Sequence, residues 1–295
     1  MATNTKTKPT TEPDRTADAL QLLADGIKNL TNGEEWGKYL RMQSAFHTYS
    51  FANTMLLLAQ CPDATRVAGF KTWLKLNRAV RKGEKAIWIL APRFYKPKTS
   101  ATELTTTADD NQDDENEGRV YFRLMPVFDL SQTEGEPLPS LLQKLQGDDG
   151  GLFQRAKTWA EAWGCPVTVE AFEGKANGFY EPDRHAVTVR AGMPPAQQLK
   201  TLVHELAHAH LHRDIEVYRA HRGDCELEAE STAFVVLNHF GIDAGAYSFG
   251  YVAGWAGGDE SAFKHLKSSA QRIQQTAKAI IEGIAGEEAQ EAFDD

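Results

Sequence analysis

The spacing of apolar residues along the chain predicts a mixture of helices and strands. Leu20, Leu23 and Ile27 recur at the interval of a helical face, so a helix is expected near the N terminus. The short apolar runs 86–91 and 120–128 are typical of strands. The same reasoning predicts further helices over 34–42, 51–59, 69–76, 141–163 and 263–284, and further strands over 167–170 and 186–190. The expected fold class is therefore α+β.

Three polar segments divide the chain into two predicted domains. Residues 1–15 are polar and should be disordered, and the acidic run 102–118 is expected to be a mobile loop. The segment 132–140 holds one glycine and two prolines, which is typical of a linker. We therefore predict one domain over 16–131 and a second over 141–295.

Composition narrows the class of protein. Of the 295 residues, 41% are apolar and 25% are charged, as in ordinary globular proteins. No apolar run approaches the ~20 residues that a membrane span needs. The first residues are polar and lack an apolar signal core, and the three cysteines are odd in number and far apart. We therefore expect a cytoplasmic protein with no membrane partner and no disulfide framework.

A metal-binding pattern lies in the predicted helix that starts near Pro195. The stretch His204-Glu205-Leu-Ala-His208 has the form His-Glu-x-x-His. Histidines four residues apart share one helical face, so both imidazoles can reach one ion. The flanking residues are apolar, as a buried metal helix requires. We predict that His204 and His208 bind one divalent metal, and that Glu205 is the general base for a water on that metal.

The third ligand is expected on the next helix, which is rich in carboxylates. Glu226 and Glu230 are four residues apart and share a face, whereas Glu228 is rotated by roughly 200° from Glu226 and is expected to face solvent. One of the pair should bind the metal, and the other should fix a ligand histidine through its second ring nitrogen. The spacing does not decide between them. Zinc is the expected ion and manganese the alternative, because a site of imidazoles and a carboxylate accepts both.

Other residues near this pattern have less specific signals. His210 and His212 are expected to be helix-end or partly buried side chains. Tyr218 or His221 could stabilise an oxyanion in a hydrolase, and no spacing argument selects between them.

The second half of the chain resembles the zinc peptidases of the ImmA/IrrE type between residues 165 and 240. The matching segments are 176–181, 185–190, 201–208 and 226–230, which read Ala-Asn-Gly-Phe-Tyr-Glu, His-Ala-Val-Thr-Val-Arg, Thr-Leu-Val-His-Glu-Leu-Ala-His and Glu-Leu-Glu-Ala-Glu. The resemblance implies a zincin-like metallopeptidase domain with a small sheet. It also implies that Glu226 is the third ligand and Glu230 the supporting carboxylate, with Glu230 as the alternative ligand.

The formal net charge of −9 hides an uneven distribution of charge. Between residues 64 and 98 the chain carries ten basic residues and one acid, with five aromatic residues between them. Basic residues contact phosphates and exposed aromatic rings stack on bases, so this stretch favours binding to single-stranded DNA, with a solvated basic face as the alternative. The expected phosphate contacts are Arg78, Arg81, Lys82 and Lys85.

Three further residues are candidates for the same surface. Trp73 and Tyr49 are predicted to stack on bases, and the protein core is the alternative place for Trp73. Asn53 is predicted to contact a base or phosphate, or else to cap local backbone.

The first half of the chain resembles the N-terminal, single-stranded-DNA-binding domain of the ArdC antirestriction proteins over residues 17–131. The segments that carry the resemblance are 46–53 with 55–58, 67–73, 80–90 and 128–134. The order of the two domains is also that of the family. The resemblance implies protection of incoming plasmid or phage DNA from restriction. Two other functions stay open: a regulatory metalloprotease, resembling ImmA, that cleaves a repressor, and a DNA-binding protein whose metal site is structural.

Overall fold

The computed structural model describes residues 15–30, 32–94, 120–138, 150–242, 249 and 260–286. The first three helices are α1 (Arg15–Asn29), α2 (Gly33–Ala45) and α3 (Phe51–Gln60). At the starts of α2 and α3, the side chains of Asn32 and Ser50 accept a hydrogen bond from the first turn of the helix. Each cap satisfies a backbone N–H that the helix itself leaves without a partner.

Two small antiparallel sheets follow these helices. Their strands are β1 (Val67–Ala68), β2 (Arg78–Val80), β3 (Ile87–Phe94), β4 (Val120–Asp129) and β5 (Thr133–Gly135), and a short helix α4 (Phe70–Lys75) lies between β1 and β2. One sheet has the order β1-β4-β3, and the other pairs β2 with β5. Ile87, Ile89 and Val127 lie on one face of the larger sheet, since alternate residues of a strand share a face. They are buried in a small apolar core with residues of α2 and α3.

The second half of the chain packs helices against a three-stranded sheet. Its elements are α5 (Leu152–Ala162), β6 (Val167–Glu170), β7 (Gly178–Glu181), β8 (Ala186–Arg190), α6 (Pro195–Leu211), α7 (Ile215–Ala220), α8 (Arg222–His239) and α9 (Glu260–Ala285). The strand order is β6-β8-β7, with β6 parallel and β7 antiparallel to β8. Helix α6 contacts β7, β8, α5, α8 and α9, so it is enclosed on most sides. Within the described ranges, none of the helices has the length and apolar composition that crossing a membrane requires.

One apolar core joins the two halves of the chain. Trp36, Tyr39 and Phe51 of α2 and α3 are buried in the same cluster as residues of α6, α8 and α9. The Trp36 indole N–H also donates to Ser231 Oγ of α8 at 3.0 Å. Helix α8, which carries the predicted carboxylate ligand, is therefore held in place by the N-terminal helices as well as by its own half.

The predicted α+β class is confirmed, and most predicted elements lie within a few residues of the observed bounds. The predicted linker 132–140 needs correction at its start, because Thr133–Gly135 is strand β5, whose backbone pairs with β2. The sequence pattern did not predict β1, β2, β5, β7 or α7. Strands β1, β2 and β5 have only two or three residues, too few to show a periodicity. The predicted loop 102–118 and the start of the predicted helix 141–163 lie outside the described residues, as does the predicted tail except for Arg15, which begins α1.

Candidate metal centre

The His-Glu-x-x-His pattern lies on α6, as predicted. His204 Nε2 and His208 Nε2 are 3.1 Å apart, and Glu226 Oε2 of α8 lies 3.5 Å from the first and 3.8 Å from the second. The three donor atoms lie within 4.8 Å of one another. Two imidazole nitrogens and one carboxylate oxygen are a donor set that zinc and other divalent ions accept. The geometry therefore fits a divalent metal held by these three side chains.

Glu226 is fixed on its other side by Tyr218 of α7. The Tyr218 hydroxyl donates to Glu226 Oε1 at 2.6 Å, while Oε2 faces the two histidines. The close approach of the His204 and His208 rings, together with the hydrogen bond from Tyr218, holds the pKa of Glu226 well below its ordinary value. The carboxyl is therefore ionised, which is the form that binds a metal.

Glu230 supports His204 on the side away from the cluster. Its Oε2 lies 3.2 Å from His204 Nδ1, and its Oε1 lies 3.3 Å from Lys200 Nζ. Because the His204 ring presents Nε2 to the cluster, Nδ1 is the nitrogen left for a supporting acceptor. This is the arrangement that the ImmA/IrrE resemblance implies, with Glu226 at the ligand position and Glu230 behind a ligand histidine.

Glu205 lies beside the cluster but outside the set of three donor atoms. Its side chain is buried, and burial raises its pKa to about 7, while the charge of His204 acts in the opposite direction. The negative charge of Glu226 also raises the pKa, and a hydrogen bond from the Tyr180 backbone N–H lowers it. A carboxyl with a pKa near neutrality can both accept and release a proton at neutral pH, as a general base must.

Strand β7 comes close to Glu205 because residue 178 is a glycine. A Cβ at Gly178 would lie 2.5 Å from Thr201 Cγ2, 2.9 Å from the carbonyl oxygen of Thr188 and 3.4 Å from Glu205 Cγ. A larger residue would therefore push β7 away from α6. The Tyr180 N–H, two residues further along β7, would then lose its position against Glu205.

Replacing Gly178 with alanine should therefore destabilise the protein. Overpacking of this kind costs about 1–3 kcal/mol, so we expect a lower midpoint in a denaturant titration. Gly69→Ala is the matched control, because a Cβ there meets nothing within 4 Å and its φ of −68° suits any residue. Equal stability of the two variants would contradict a close approach of β7 to α6.

Glu228 is buried, and the prediction that it faces solvent is wrong. Only 2% of its surface is exposed. Its carboxylate accepts hydrogen bonds from Arg272 of α9 and lies 3.1 Å from His212 Nε2. The predicted rotation away from Glu226 is correct, but α9 packs against α8 on that side. The pattern of one helix does not show which of its faces another helix covers.

His210 and His212 occupy different surroundings at the end of α6. His210 is partly buried, as expected, and stacks on Trp163 with ring centroids 3.9 Å apart. His212 is buried, and its Nδ1 lies 2.9 Å from His208 Nδ1. Sequence reasoning missed this contact with a candidate ligand. The signal that could have found it is the spacing of four residues between His208 and His212.

The stacking role predicted for Trp73 needs correction. The indole is 0% exposed, and its N–H donates to the Phe128 carbonyl at 2.9 Å. A base cannot reach this ring, so Trp73 takes the alternative place in the core. The Asn53 amide also bonds backbone: it accepts from the Leu90 N–H at 2.8 Å and donates to the Leu90 carbonyl at 2.9 Å. Asn53 therefore has the alternative role predicted for it, a cap of local backbone, and its amide is hydrogen-bonded within the protein.

The four basic residues predicted to contact phosphates differ in how strongly they bond to other groups of the protein. Arg78 donates to two backbone carbonyls of β5, each at 3.2 Å. Arg81 is paired with Glu84 at 2.7 Å. Lys82 and Lys85 are exposed. Of the four, the two lysines therefore present most charge to solvent.

Among the described residues of the first half, the most exposed aromatic side chains are not those that the sequence suggested. Phe70 of α4 is 50% exposed, and Phe122 of β4 is 65% exposed, with Tyr121 exposed beside it. Tyr49 is only partly buried and keeps its place as a candidate. The signal that could have found Phe70 is the length of α4, because a helix of six residues buries only the side that carries Trp73.

Comparison with known proteins identifies one domain in each half of the chain. Residues 20–128 match the family described as the N-terminal domain of anti-restriction factor ArdC. Residues 160–247 match the family described as the IrrE N-terminal-like domain. Both resemblances predicted from the sequence are therefore confirmed. An uncharacterised protein of Bacillus anthracis is 26% identical to the chain over an alignment of 296 positions, which includes 90% of this chain and 50% of that protein. The chain thus spans about half the length of this curated relative.

Two crystal structures of the antirestriction ArdC protein from plasmid R388 have a similar fold. The metal-free structure is 18% identical, with a TM-score of 0.52 over 79% of this chain and 84% of that one. The Mn(II)-bound structure is 17% identical, with a TM-score of 0.54 over 91% of this chain and 98% of that one. At such identities the likeness shows the fold: an N-terminal domain followed by a zincin-like domain.

Proposed function

We propose that this ArdC-like chain is a single-stranded-DNA-binding antirestriction protein. Its ArdC-type N-terminal domain precedes an IrrE-like domain, which we propose to be metal-dependent and peptidase-like. The protein would act in the cytoplasm and protect incoming plasmid or phage DNA from restriction. The observation that carries the proposal is the convergence of His204, His208 and Glu226 in a chain whose first half matches the ArdC N-terminal domain.

The proposed cofactor is one divalent metal held by His204, His208 and Glu226. Zinc is the first candidate, because two histidines and a glutamate are a usual ligand set of catalytic zinc. Manganese is the second, because an ArdC protein of the same fold holds Mn(II). A bound zinc ion would polarise a carbonyl group and lower the pKa of a coordinated water to about 7.

The residues around the cluster would orient its ligands and move a proton. Glu205 is the proposed base, since its pKa lies near 7 and its carboxyl stands next to the cluster. Tyr218 orients Glu226 through the 2.6 Å hydrogen bond from its hydroxyl. Glu230 orients His204 through its second ring nitrogen. The ligands would thus be held in one geometry before a substrate arrives.

A second candidate function is regulatory proteolysis. It is favoured by the match of residues 160–247 to the IrrE-like domain and by the buried Glu205 beside the cluster. The substrate would then be a protein such as a repressor, and DNA would serve only to position it. A DNA-binding protein with a purely structural metal would not need Glu205, so substitution of this residue distinguishes a structural metal from an enzymatic one.

The proposed DNA surface combines exposed basic side chains with an exposed aromatic ring. Lys82 and Lys85 are proposed to supply most of the positive charge, with smaller contributions from Arg78 and Arg81. Phe70 replaces Trp73 as the proposed stacking residue, because half of its surface is exposed on the neighbouring helix α4.

The double substitution His204→Ala with His208→Ala should remove the metal and the protection that depends on it. Elemental analysis of protein purified without chelator should find one divalent metal per wild-type chain and none in the variant. Transfer of unmodified plasmid DNA into a restricting host measures protection. His210→Ala, on the same helix but stacked on Trp163, is the control and should keep the metal. Unchanged metal in the double variant would refute the site, and no protection by the wild type would refute the function.

A further inference from the structure

A series of buried polar side chains connects His208 to the last helix of the chain. His208 Nδ1 lies 2.9 Å from His212 Nδ1, and His212 Nε2 lies 3.1 Å from Glu228 Oε2. Arg272 of α9 donates to both carboxylate oxygens of Glu228. The side chains of His212 and Glu228 are 5% and 2% exposed, so they bond to each other rather than to bulk water.

The direction of each hydrogen bond follows from the chemistry of its two ends. The Glu228 carboxylate, paired with Arg272, can only accept, so His212 Nε2 carries the hydrogen and donates it. When His212 holds a single ring hydrogen, its Nδ1 is an acceptor, and His208 Nδ1 is then the donor. His208 Nε2 is left without a hydrogen, with its lone pair available on the side of the metal cluster. This arrangement satisfies the series of hydrogen bonds from Arg272 to His208 and leaves free the nitrogen that a metal needs.

We propose that His212, Glu228 and Arg272 are positioning residues for the metal ligand His208. They fix the orientation of its ring and the nitrogen that carries its hydrogen, and they couple both to α9. The inference rests on the metal site of the proposed function. It adds to that site a contribution from Arg272, which lies 44 residues after Glu228 in the sequence.

The two ligand histidines differ in how a carboxylate supports them. Glu230 reaches His204 Nδ1 directly, at 3.2 Å. Glu228 stands two residues earlier on α8 and bonds Arg272 of α9, so its carboxylate does not touch His208. The His212 imidazole spans this gap: His212 caps the C terminus of α6, four residues after His208, and its Nδ1 lies 2.9 Å from His208 Nδ1.

A purely structural role for these residues would give a different experimental result. The pair of Glu228 and Arg272 links α8 to α9, and removal of either group would leave a buried charge or lose a contact between helices. Substitution of these residues is therefore expected to destabilise the metal-free protein whether their role is structural or positioning. Affinity for the metal distinguishes the two roles, because the ring orientation of His208 affects binding only when an ion is present.

The test compares two substitutions of His212 in the full chain, by competition for Zn²⁺ with a chelator of known affinity. His212→Gln keeps one acceptor and one donor in its amide, and it should retain most of the zinc affinity. His212→Leu removes both, and it should weaken zinc binding about 10–100-fold. His210→Gln is the matched control on the same helix and should leave the affinity unchanged. Thermal unfolding of each metal-free variant is measured in parallel.

The possible outcomes separate the positioning role from the metal site itself. Equal zinc affinity of the wild type and His212→Leu would overturn the positioning role, whatever their melting temperatures. Equal losses in the Leu and Gln variants would also overturn it, since hydrogen bonding would then be irrelevant. If His212→Leu does not fold, Glu228→Met takes its place, because its side chain is of similar length and cannot accept the hydrogen of His212: weaker zinc binding supports the role, and unchanged binding overturns it. No zinc binding by the wild type would overturn the metal site, and the inference with it.

Discussion

Replacing Glu205 with glutamine is expected to abolish hydrolysis while leaving the metal in place. The amide has nearly the size of the carboxylate, so the packing of α6 should persist, but it cannot take up a proton as a base does. Loss of a positioned general base lowers a rate by about 10²–10⁴-fold. Because Glu205 lies outside the three donor atoms, the metal content should equal that of the wild type. Cleavage of an unstructured protein and elemental analysis check the two expectations.

The same variant separates the candidate functions when it is carried into the protection assay. Loss of protection with the metal retained would favour an enzymatic role, and retained protection would favour DNA binding alone. Glu216→Gln is the matched control, because Glu216 is an exposed residue of α7 paired with Arg219 and should affect neither measurement. Loss of the metal from Glu205→Gln would contradict the proposed mechanism and make Glu205 a ligand or a support.

The features that depend on a single helix could be predicted from the sequence. His204 and His208 share a face of α6 because they are four residues apart, and the same spacing places Glu226 and Glu230 on one face of α8. How α8 packs against α6 decides which of the two glutamates faces the metal cluster and which supports His204. Spacing along α8 contains no information on that contact, so only the family resemblance could assign the two roles.

The features that depend on contacts between helices could not be predicted in this way. Glu228 was expected in solvent because its rotation from Glu226 was known but the position of α9 was not. His212 was expected to be an ordinary helix-end histidine because its partner Glu228 comes 16 residues later, on another helix. The burial of Trp73 could not be predicted for the same reason. A basic stretch with aromatic residues suggests DNA binding, but the Trp73 ring is buried by contacts between α4 and the sheet that contains Phe128.

Single-stranded DNA is expected to bind the full chain with an affinity that falls as salt rises, and duplex DNA is expected to bind more weakly. The full chain is required, because Trp36, Tyr39 and Phe51 of the first half are buried in a core shared with the second half. A truncated first half would expose these side chains to water. Fluorescence titrations with a labelled oligonucleotide at several salt concentrations give the affinity and its salt dependence.

Substitution of Lys82 and Lys85 by glutamine should weaken this binding and change its salt dependence. Each phosphate contact on a single strand contributes about −0.7 to the slope of log affinity against log salt, so loss of two contacts should make the slope shallower by about 1.4. The matched control replaces Lys175 and Lys267, which are exposed lysines of the second half, and removes the same charge. Equal slopes for the two double variants, or binding that does not depend on salt, would contradict the proposed surface.

The stacking part of the same surface is tested by comparing Phe70→Ala with Trp73→Ala. Phe70 is half exposed, so its removal should change the unfolding midpoint little and weaken DNA binding by about 1–3 kcal/mol, the usual contribution of one stacked base. Trp73 is fully buried, so its removal should cost about 3–5 kcal/mol of stability, as truncation of a large core residue does. Its effect on affinity in the folded variant should be smaller than that of Phe70→Ala. Loss of affinity in Trp73→Ala together with full affinity in Phe70→Ala would mean that DNA binds another face of this domain.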